Sequence, residues 1–222
     1  MSAQRLGSSQ ISLPVASGEA VAGDLVVPSH AHAVVIFAHG SGSSRLSSRN
    51  RSVAAALQAR GLATLLFDLL TGSEDERDAI TAELRFDIPF LARRLRDVIA
   101  HVRERDDVGA FPIGLFGAST GAAAALVAAA DDGRIGAVVS RGGRPDLARG
   151  SLDRVSAPTL LIVGSLDTPV IEMNRSAYER LAATDKQMVI VPGASHLFEE
   201  RGKLEEVARL AADWCIRWLR AA

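Results

Sequence analysis

The chain has 222 residues, of which 48% are hydrophobic and 23% charged, a composition typical of a folded globular domain that excludes a disordered chain. A formal net charge of −1 excludes a broad basic surface for nucleic acid or acidic membranes, and the single cysteine, Cys215, excludes an internal disulfide. The first ten residues lack the apolar segment of a signal peptide, and no apolar run reaches the ~18 residues of a membrane span, so we expect a cytoplasmic protein.

The first half of the chain predicts a hairpin followed by alternating strands and helices. Residues 33–38 and 63–70 are continuous apolar runs, which is typical of strands buried on both faces of a parallel sheet. In chain order the predicted elements are strands over 11–15, 24–27 and 33–38, a helix over 49–60, a strand over 63–70, a polar loop over 71–77, and a mostly helical stretch over 80–103 that Pro89 starts or kinks.

The second half repeats the unit of strand and helix. Its predicted elements are a strand over 113–116, a helix over 121–130, strands over 135–139 and 159–163, a helix over 170–183, a strand over 188–191 and a helix over 203–220. Two antiparallel strands followed by this alternation predict an α/β fold, a three-layer αβα arrangement around one mostly parallel sheet. We expect a single domain of residues 1–222.

A G-x-S-x-G motif follows one predicted strand and opens the next helix. The motif is weak alone, but strand–motif–helix is the context in which a nucleophilic serine stands on a sharp turn above the sheet. Gly117 and Gly121 leave room for backbone that approaches closely, and the turn sets the Thr120 N–H beside the reacting atom. Ser119 is therefore the candidate nucleophile, and a tight turn without chemistry is the alternative.

A serine hydroxyl needs a base, and with this type of turn the acid and the histidine follow the serine in that order. Of five histidines only His196 follows Ser119, in a loop between the last strand and the terminal helix. Asp167 comes directly after the strand over 159–163 and would accept the second imidazole N–H. Asp146, on the loop after the preceding strand, is the rival acid, and Asp167 could instead cap the following helix.

The loop over 39–44, after the third predicted strand, consists of a histidine and small residues. Such a loop can turn backbone N–H groups toward a developing oxyanion. We assign the Ser41 N–H as the partner of the Thr120 N–H, with the Gly42 N–H as the alternative. His39 is interpreted as a residue that ties loops together and not as a base. A phosphate-binding nest is the alternative for the whole loop, although the G-K-[ST] signature is missing.

Four stretches together resemble the α/β-hydrolase superfamily, and most closely its dienelactone-hydrolase-like branch: HGSGSS (39–44), FGASTG (116–121), LLIVGSLD (160–167) and VPGASH (191–196). The resemblance spans nearly the whole chain and implies an eight-stranded sheet whose second strand is antiparallel. Dienelactone hydrolases use cysteine as nucleophile where this chain has Ser119, which leaves esterase chemistry intact but argues against dienelactone as the substrate. Similar small domains also occur fused to phosphoribosyltransferase domains.

The loop over 141–157, after the sixth expected strand, is too short for a lid domain, so we expect an open site suited to small esters. Arg141 and Arg144 lie in this loop, and Arg45 and Arg49 stand beside the oxyanion loop. A guanidinium binds a carboxylate bidentately, so one of these residues could select an anionic substrate. Ordinary salt bridges are the alternative.

The predicted function is a serine hydrolase that cleaves small esters through an acyl-enzyme and a Ser119–His196–Asp167 triad. The expected partner is a small-molecule ester, anionic if an arginine selects it. We expect no metal or organic cofactor, no nucleic acid and no membrane, and a monomer or homodimer. The same triad would serve a thioesterase or acyltransferase, and a non-catalytic ligand-binding module on this fold is the alternative from another class.

Overall fold

The computed structural model describes residues 6–220, in which eight strands form one sheet. The strands are β1 Leu6–Pro14, β2 Ala20–Pro28, β3 Val34–Ala38, β4 Ala63–Phe67, β5 Ile113–Ala118, β6 Ile135–Arg141, β7 Thr159–Gly164 and β8 Lys186–Val191. Their order across the sheet is β1-β2-β4-β3-β5-β6-β7-β8. β2 runs antiparallel to both of its neighbours and all other pairs are parallel, which confirms the predicted sheet.

Helices cover both faces of the sheet and bury its central strands completely. The helices of the described residues are α1 Ser48–Gln58, α2 Gly72–Thr81, α3 Ile88–Arg103, α4 Thr120–Ala130, α5 Thr168–Arg180 and α6 Lys203–Trp218. One apolar core lies between the sheet and α3 and α4, and a second lies between the sheet and α1 and α6. Because both faces are covered, every residue of β3, β4 and β5 is buried, as the continuous apolar runs predict.

The polar loop predicted over 71–77 is wrong, because this segment forms most of α2. The Thr71 hydroxyl accepts the Glu74 N–H, and the Glu74 carboxylate accepts the Thr71 N–H, which is a complete capping box. Asp78 is the one residue of α2 that is buried. Because the helix buries no apolar face, its sequence lacks the apolar spacing that would predict a helix. The helical stretch predicted over 80–103 divides into the end of α2, a short 3-10 helix at Leu84–Phe86, and α3, whose first turn contains Pro89.

The connections that leave the carboxyl edge of the sheet are short. The segment between β6 and β7 folds into 3-10 turns over Pro145–Arg154, in keeping with the expectation of no lid domain there. Residues 1–5, half of the stretch on which the expectation of no signal peptide rests, lie outside the described residues. Among residues 6–220 no helix combines the length and the apolar character needed to cross a membrane.

Candidate active site

The candidate nucleophile stands on the turn between β5 and α4. Ser119 has φ 50° and ψ −119°, a strained conformation for an L-residue, directly between the last residue of β5 and the first of α4. Its N–H donates to the Arg141 carbonyl oxygen over 3.2 Å, which fixes the turn against the end of β6. Ser119 therefore has the strained strand–turn–helix geometry that the motif predicts.

Two glycines flank this turn where backbone segments nearly touch. A Cβ on Gly121 would lie 2.3 Å from the Ala38 carbonyl oxygen, and a Cβ on Gly117 would lie 2.3 Å from the Ala122 Cα. No side chain fits at either distance, so the space-making role assigned to both glycines is confirmed.

Asp167 and His196 meet at the same edge of the sheet. The His196 Nδ1 lies 2.6 Å from the Asp167 Oδ2, with the aspartate 13% and the histidine 38% exposed. Asp167 occupies the N-cap position of α5 but makes no capping bond, because its carboxylate faces the imidazole. The rival Asp146 instead holds Arg144 in a bidentate pair, with N···O distances of 2.9 Å and 2.8 Å. The structure thus brings Asp167, and not Asp146, to the histidine.

The loops after β7 and β8 support this pair. A Cβ on Gly164 would lie 2.3 Å from the Ala194 carbonyl oxygen, so the two loops pack directly against each other. The peptide before His196 is held in place because the Ser195 N–H donates to both carboxylate oxygens of Glu200 at 3.1 Å. The imidazole is therefore positioned by backbone contacts as well as by its carboxylate partner.

Gly142 links the serine turn to the histidine loop. It has φ 50°, and a Cβ there would lie 3.0 Å from the His196 carbonyl oxygen and 3.5 Å from two atoms of the His196 ring. The preceding residue, Arg141, accepts the Ser119 N–H, so the turn and the imidazole converge on this segment. No hydrogen bond joins the Ser119 hydroxyl to the imidazole within residues 6–220. Gly142 is not among the residues predicted from the sequence, although a Gly-Gly pair directly after a parallel strand is a local signal for it.

The loop after β3 reaches the serine turn from the other side. A Cβ on Gly40 would lie 3.1 Å from the Ser119 Cβ, so the loop backbone passes beside the nucleophile. Gly42, at φ 67°, completes a tight turn closed by a bond from the Ser43 N–H to the Gly40 carbonyl oxygen. The Ser41 N–H donates to the Thr120 Oγ1 over 2.9 Å, so the two residues assigned to the oxyanion hole lie side by side.

His39 connects this loop to the end of β4. Its Nε2 accepts the Leu69 N–H at 3.0 Å, and its Nδ1 donates to the Gly40 carbonyl oxygen at 2.9 Å. Burial lowers the pKa of His39, which keeps the ring neutral and able to accept one bond and donate the other. Both ring nitrogens are thereby used, in agreement with the interpretation of His39 as a residue that ties loops together.

A cavity of about 610 Å³ opens beside the oxyanion loop, on the side of β4 and α2. Serine and threonine hydroxyls line part of its wall, together with two arginine–aspartate pairs, Arg45–Asp68 and Arg85–Asp78. The apolar contribution comes from four leucines, Leu46, Leu69, Leu70 and Leu91. The cavity reaches the proposed oxyanion donors, since Ser41 and Thr120 also line it.

The structure separates the three arginines proposed for substrate binding. Arg45 contacts Asp68 at 2.5 Å and Asp24 at 3.6 Å, and Arg144 is held by Asp146, so the salt-bridge alternative describes both. Arg141 is 7% exposed, and its Nε and Nη1 have no hydrogen-bond partner in the described part of the chain. Burial, and then the positive charge of Arg49, lower the pKa of Arg141 to about 10. Arg141 therefore remains the unpaired cation of the three.

Comparison with known proteins settles the family. A model of the dienelactone hydrolase family matches residues 21–221. The chain belongs to the dienelactone hydrolase family. The eight-stranded sheet described above agrees with this membership. Within residues 6–220, no group of three His, Cys, Asp or Glu side chains could hold a metal ion.

Two solved structures resemble this dienelactone hydrolase family member at very different levels of sequence identity. The crystal structure of a dienelactone hydrolase from Anabaena variabilis is 52% identical, with a TM-score of 0.94 over 97% of this chain and 99% of that one. Est1E from Butyrivibrio proteoclasticus has a TM-score of 0.77 at 17% identity over 95% and 98% of the two chains, which shows the fold alone.

A longer relative comes from Mycobacterium tuberculosis and bears the name "Putative phosphoribosyl transferase". It is 56% identical over 203 residues, which make up 91% of this chain and 45% of that protein. The chain thus spans about half the length of the curated relatives it matches.

Proposed function

We propose that this member of the dienelactone hydrolase family is a serine hydrolase that cleaves small esters, with Ser119 as nucleophile, His196 as base and Asp167 as the orienting acid. The observation that carries the proposal is the 2.6 Å contact between His196 and Asp167 at the edge of the sheet that also holds the strained Ser119 turn. Asp167 stands at the N-cap position of α5 without making a capping bond, so its carboxylate serves the imidazole and not the helix.

The contact with Asp167 fixes which imidazole nitrogen does the chemistry. Nδ1–H donates to the carboxylate, so Nε2 carries the lone pair that can accept the Ser119 proton. The serine oxygen then attacks the ester carbonyl carbon, the alcohol leaves with the proton from His196, and water repeats the sequence on the acyl-enzyme. The Asp167 carboxylate stabilises the imidazolium that forms in each half of the cycle.

Backbone amides would stabilise the negative charge that develops on the carbonyl oxygen. Thr120 opens α4, and an N–H in the first helical turn has no partner within the helix. The Ser41 N–H donates to the Thr120 hydroxyl, so it can serve the oxyanion only when that hydroxyl turns away. Gly42 is the alternative donor. Loss of one such donor typically costs about 3–4 kcal/mol of transition-state stabilisation.

Labelling with a fluorophosphonate tests the proposal, because this reagent reacts with activated serines. We expect the wild-type protein to be labelled and to hydrolyse short-chain esters, and Ser119→Ala to lose both properties while keeping its thermal unfolding midpoint. Ser12→Ala, an exposed serine on β1, is the matched control and should behave as the wild type. Equal labelling of Ser119→Ala would assign the nucleophile to another residue and reject Ser119. A wild type that neither labels nor cleaves any ester of a broad panel would leave a non-catalytic ligand-binding module as the better description.

A further inference from the structure

Arg141 is a buried cation without a counter-ion. Its side chain is 93% removed from solvent, since 7% remains exposed, and two of its three guanidinium nitrogens are fully buried without a hydrogen-bond partner in the described residues. A second arginine buried to the same degree, Arg94, is 4% exposed and is paired with Glu74 at 2.8 Å. Burying an unpaired charge costs several kcal/mol, so the contrast with Arg94 indicates that a partner for Arg141 comes from outside the chain.

The position of Arg141 places its guanidinium on the α1 and α6 side of the proposed active site. Arg141 ends β6, and its side chain lies on the same face as Val139, two residues earlier, which packs in the core beneath α1 and α6. Its backbone carbonyl accepts the Ser119 N–H. Neither Arg141 nor Arg49 lines the cavity described above, so the guanidinium lies outside it.

The N-terminus of α1 adds positive charge at the same place. Its first turn contains no acidic residue and carries Arg49, which is close enough to lower the pKa of Arg141. Arg49 contacts Glu199 through Nη1 at 2.9 Å, but its Nε is buried without a partner. Glu199 is 61% exposed and so is well hydrated. Arg49 thus adds positive charge near Arg141, and its own carboxylate partner is solvated.

We infer that Arg141, Arg49 and the first turn of α1 form a binding site for the anionic oxygen group of a substrate, a carboxylate or a phosphoryl group. The anionic group accepts hydrogen bonds from the unpaired N–H groups of Arg141, which offsets the free-energy cost of burying the guanidinium charge. The substrate class that follows is an ester whose anionic end lies toward α1 while its uncharged polar part occupies the cavity. The inference rests on the proposed function for the ester itself, whereas the binding of an anion can be measured without turnover.

Titration with sodium phosphate and with sodium acetate, at constant ionic strength set with chloride, tests the site directly. We expect one of the two anions to bind the wild-type protein and to raise its unfolding midpoint, and Arg141→Met to bind it about tenfold more weakly or worse. Arg134→Met is the matched control, because Arg134 precedes the other end of the same strand and its side chain is 75% exposed. It should bind the anion as the wild type does.

The outcomes distinguish a carboxylate ligand, a phosphoryl ligand and an arginine that has only a structural role. Tighter binding of acetate identifies a carboxylate, and tighter binding of phosphate identifies a phosphoryl group. Without added anion, Arg141→Met should unfold at the same temperature as the wild type or a higher one, because it removes an unpaired buried charge. Equal binding by Arg141→Met and wild type, or no binding of either anion by the wild type, would overturn the inference.

A pair of esters of equal size then links the site to turnover. The ratio of kcat/KM for monomethyl succinate to that for methyl 4-methylpentanoate, in which an isopropyl group replaces the carboxylate, should fall about tenfold in Arg141→Met, and Arg134→Met should leave the ratio unchanged. If the wild type hydrolyses neither ester, the proposed function fails, while the anion titration still decides the inference about Arg141. An unchanged ratio in Arg141→Met would place the anion site outside substrate recognition and overturn the assignment.

Discussion

Two histidines flank the candidate active site, and their surroundings give them opposite properties. His39 is buried, both of its ring nitrogens are hydrogen-bonded, and its lowered pKa keeps it neutral. His196 is 38% exposed and uses Nδ1 for the contact with Asp167, which leaves Nε2 available to accept a proton from the candidate nucleophile. The same residue type therefore serves as a loop connector in one position and as the candidate base in the other.

Replacing the acid tests this assignment at the scale of one side chain. Asp167→Asn should lower kcat for a short ester by about 10³–10⁴-fold with little change in KM, because the amide can donate to Nδ1 and favour the wrong imidazole tautomer. Asp146→Asn is the matched control. It breaks the surface pair with Arg144, which leaves the imidazole alone, so kcat should stay within about twofold of the wild type. A larger loss in Asp146→Asn than in Asp167→Asn would reverse the choice between the two acids.

Some residue assignments could be made from the sequence because they depend on chain order, and others depend on partners that sequence does not reveal. Ser119 and His196 follow from a motif in context and from the position of a histidine after it. The roles of Arg45 and Arg141 look alike in the sequence, since both are arginines beside candidate loops. Asp68 neutralises Arg45 from the end of another strand, whereas Arg141 has no such partner in the described residues, and only the packed fold distinguishes them.

At the scale of elements, the sequence predicted those that bury an apolar face and missed the one that does not. The sequences of β3 and α6 match the way these elements are buried. The strand is apolar throughout and buried on both faces, and the helix has apolar residues at helical spacing on its buried face. α2 exposes nearly all of its residues, so its sequence has no apolar period, and its stability comes from the capping box at Thr71. The T-x-x-E spacing was the available local signal for it.

The nucleophile turn makes a sharp prediction about the contact between β5, α4 and the loop after β3. Gly121→Ala places a Cβ 2.3 Å from the Ala38 carbonyl oxygen, so α4 must move away from the sheet, and we expect a loss of about 3 kcal/mol or more of unfolding free energy. Gly133→Ala, between α4 and β6, meets no atom within 4 Å and should change stability by no more than about 1 kcal/mol, in the stabilising direction. Urea unfolding of both variants measures the difference, and similar midpoints would contradict the tight packing of the turn.

At the scale of the whole molecule, the parallel sheet explains why distant residues meet. β5, β6, β7 and β8 end at one edge, where Arg141 is the last residue of β6 and the connections after β5, β7 and β8 carry Ser119, Asp167 and His196. The topology follows from the alternation of strands and helices, which the sequence shows. The exact approach of the loops follows from glycine contacts and backbone bonds that have no periodic signal.

The shape of the site predicts a preference for short acyl chains. No domain is inserted between β6 and β7 among the described residues, and the cavity beside the oxyanion loop is about 610 Å³, with four leucines as well as hydroxyl and charged groups in its wall. An added methylene gains about 0.8 kcal/mol only while it is buried against apolar atoms, so carbons of a long acyl chain that extend beyond these leucines into solvent add nothing. We expect kcat/KM for para-nitrophenyl esters to fall at least about tenfold from butyrate to palmitate, measured below the concentration at which the long ester forms micelles. Activity that rises with chain length would show that an apolar surface outside this cavity holds the acyl group.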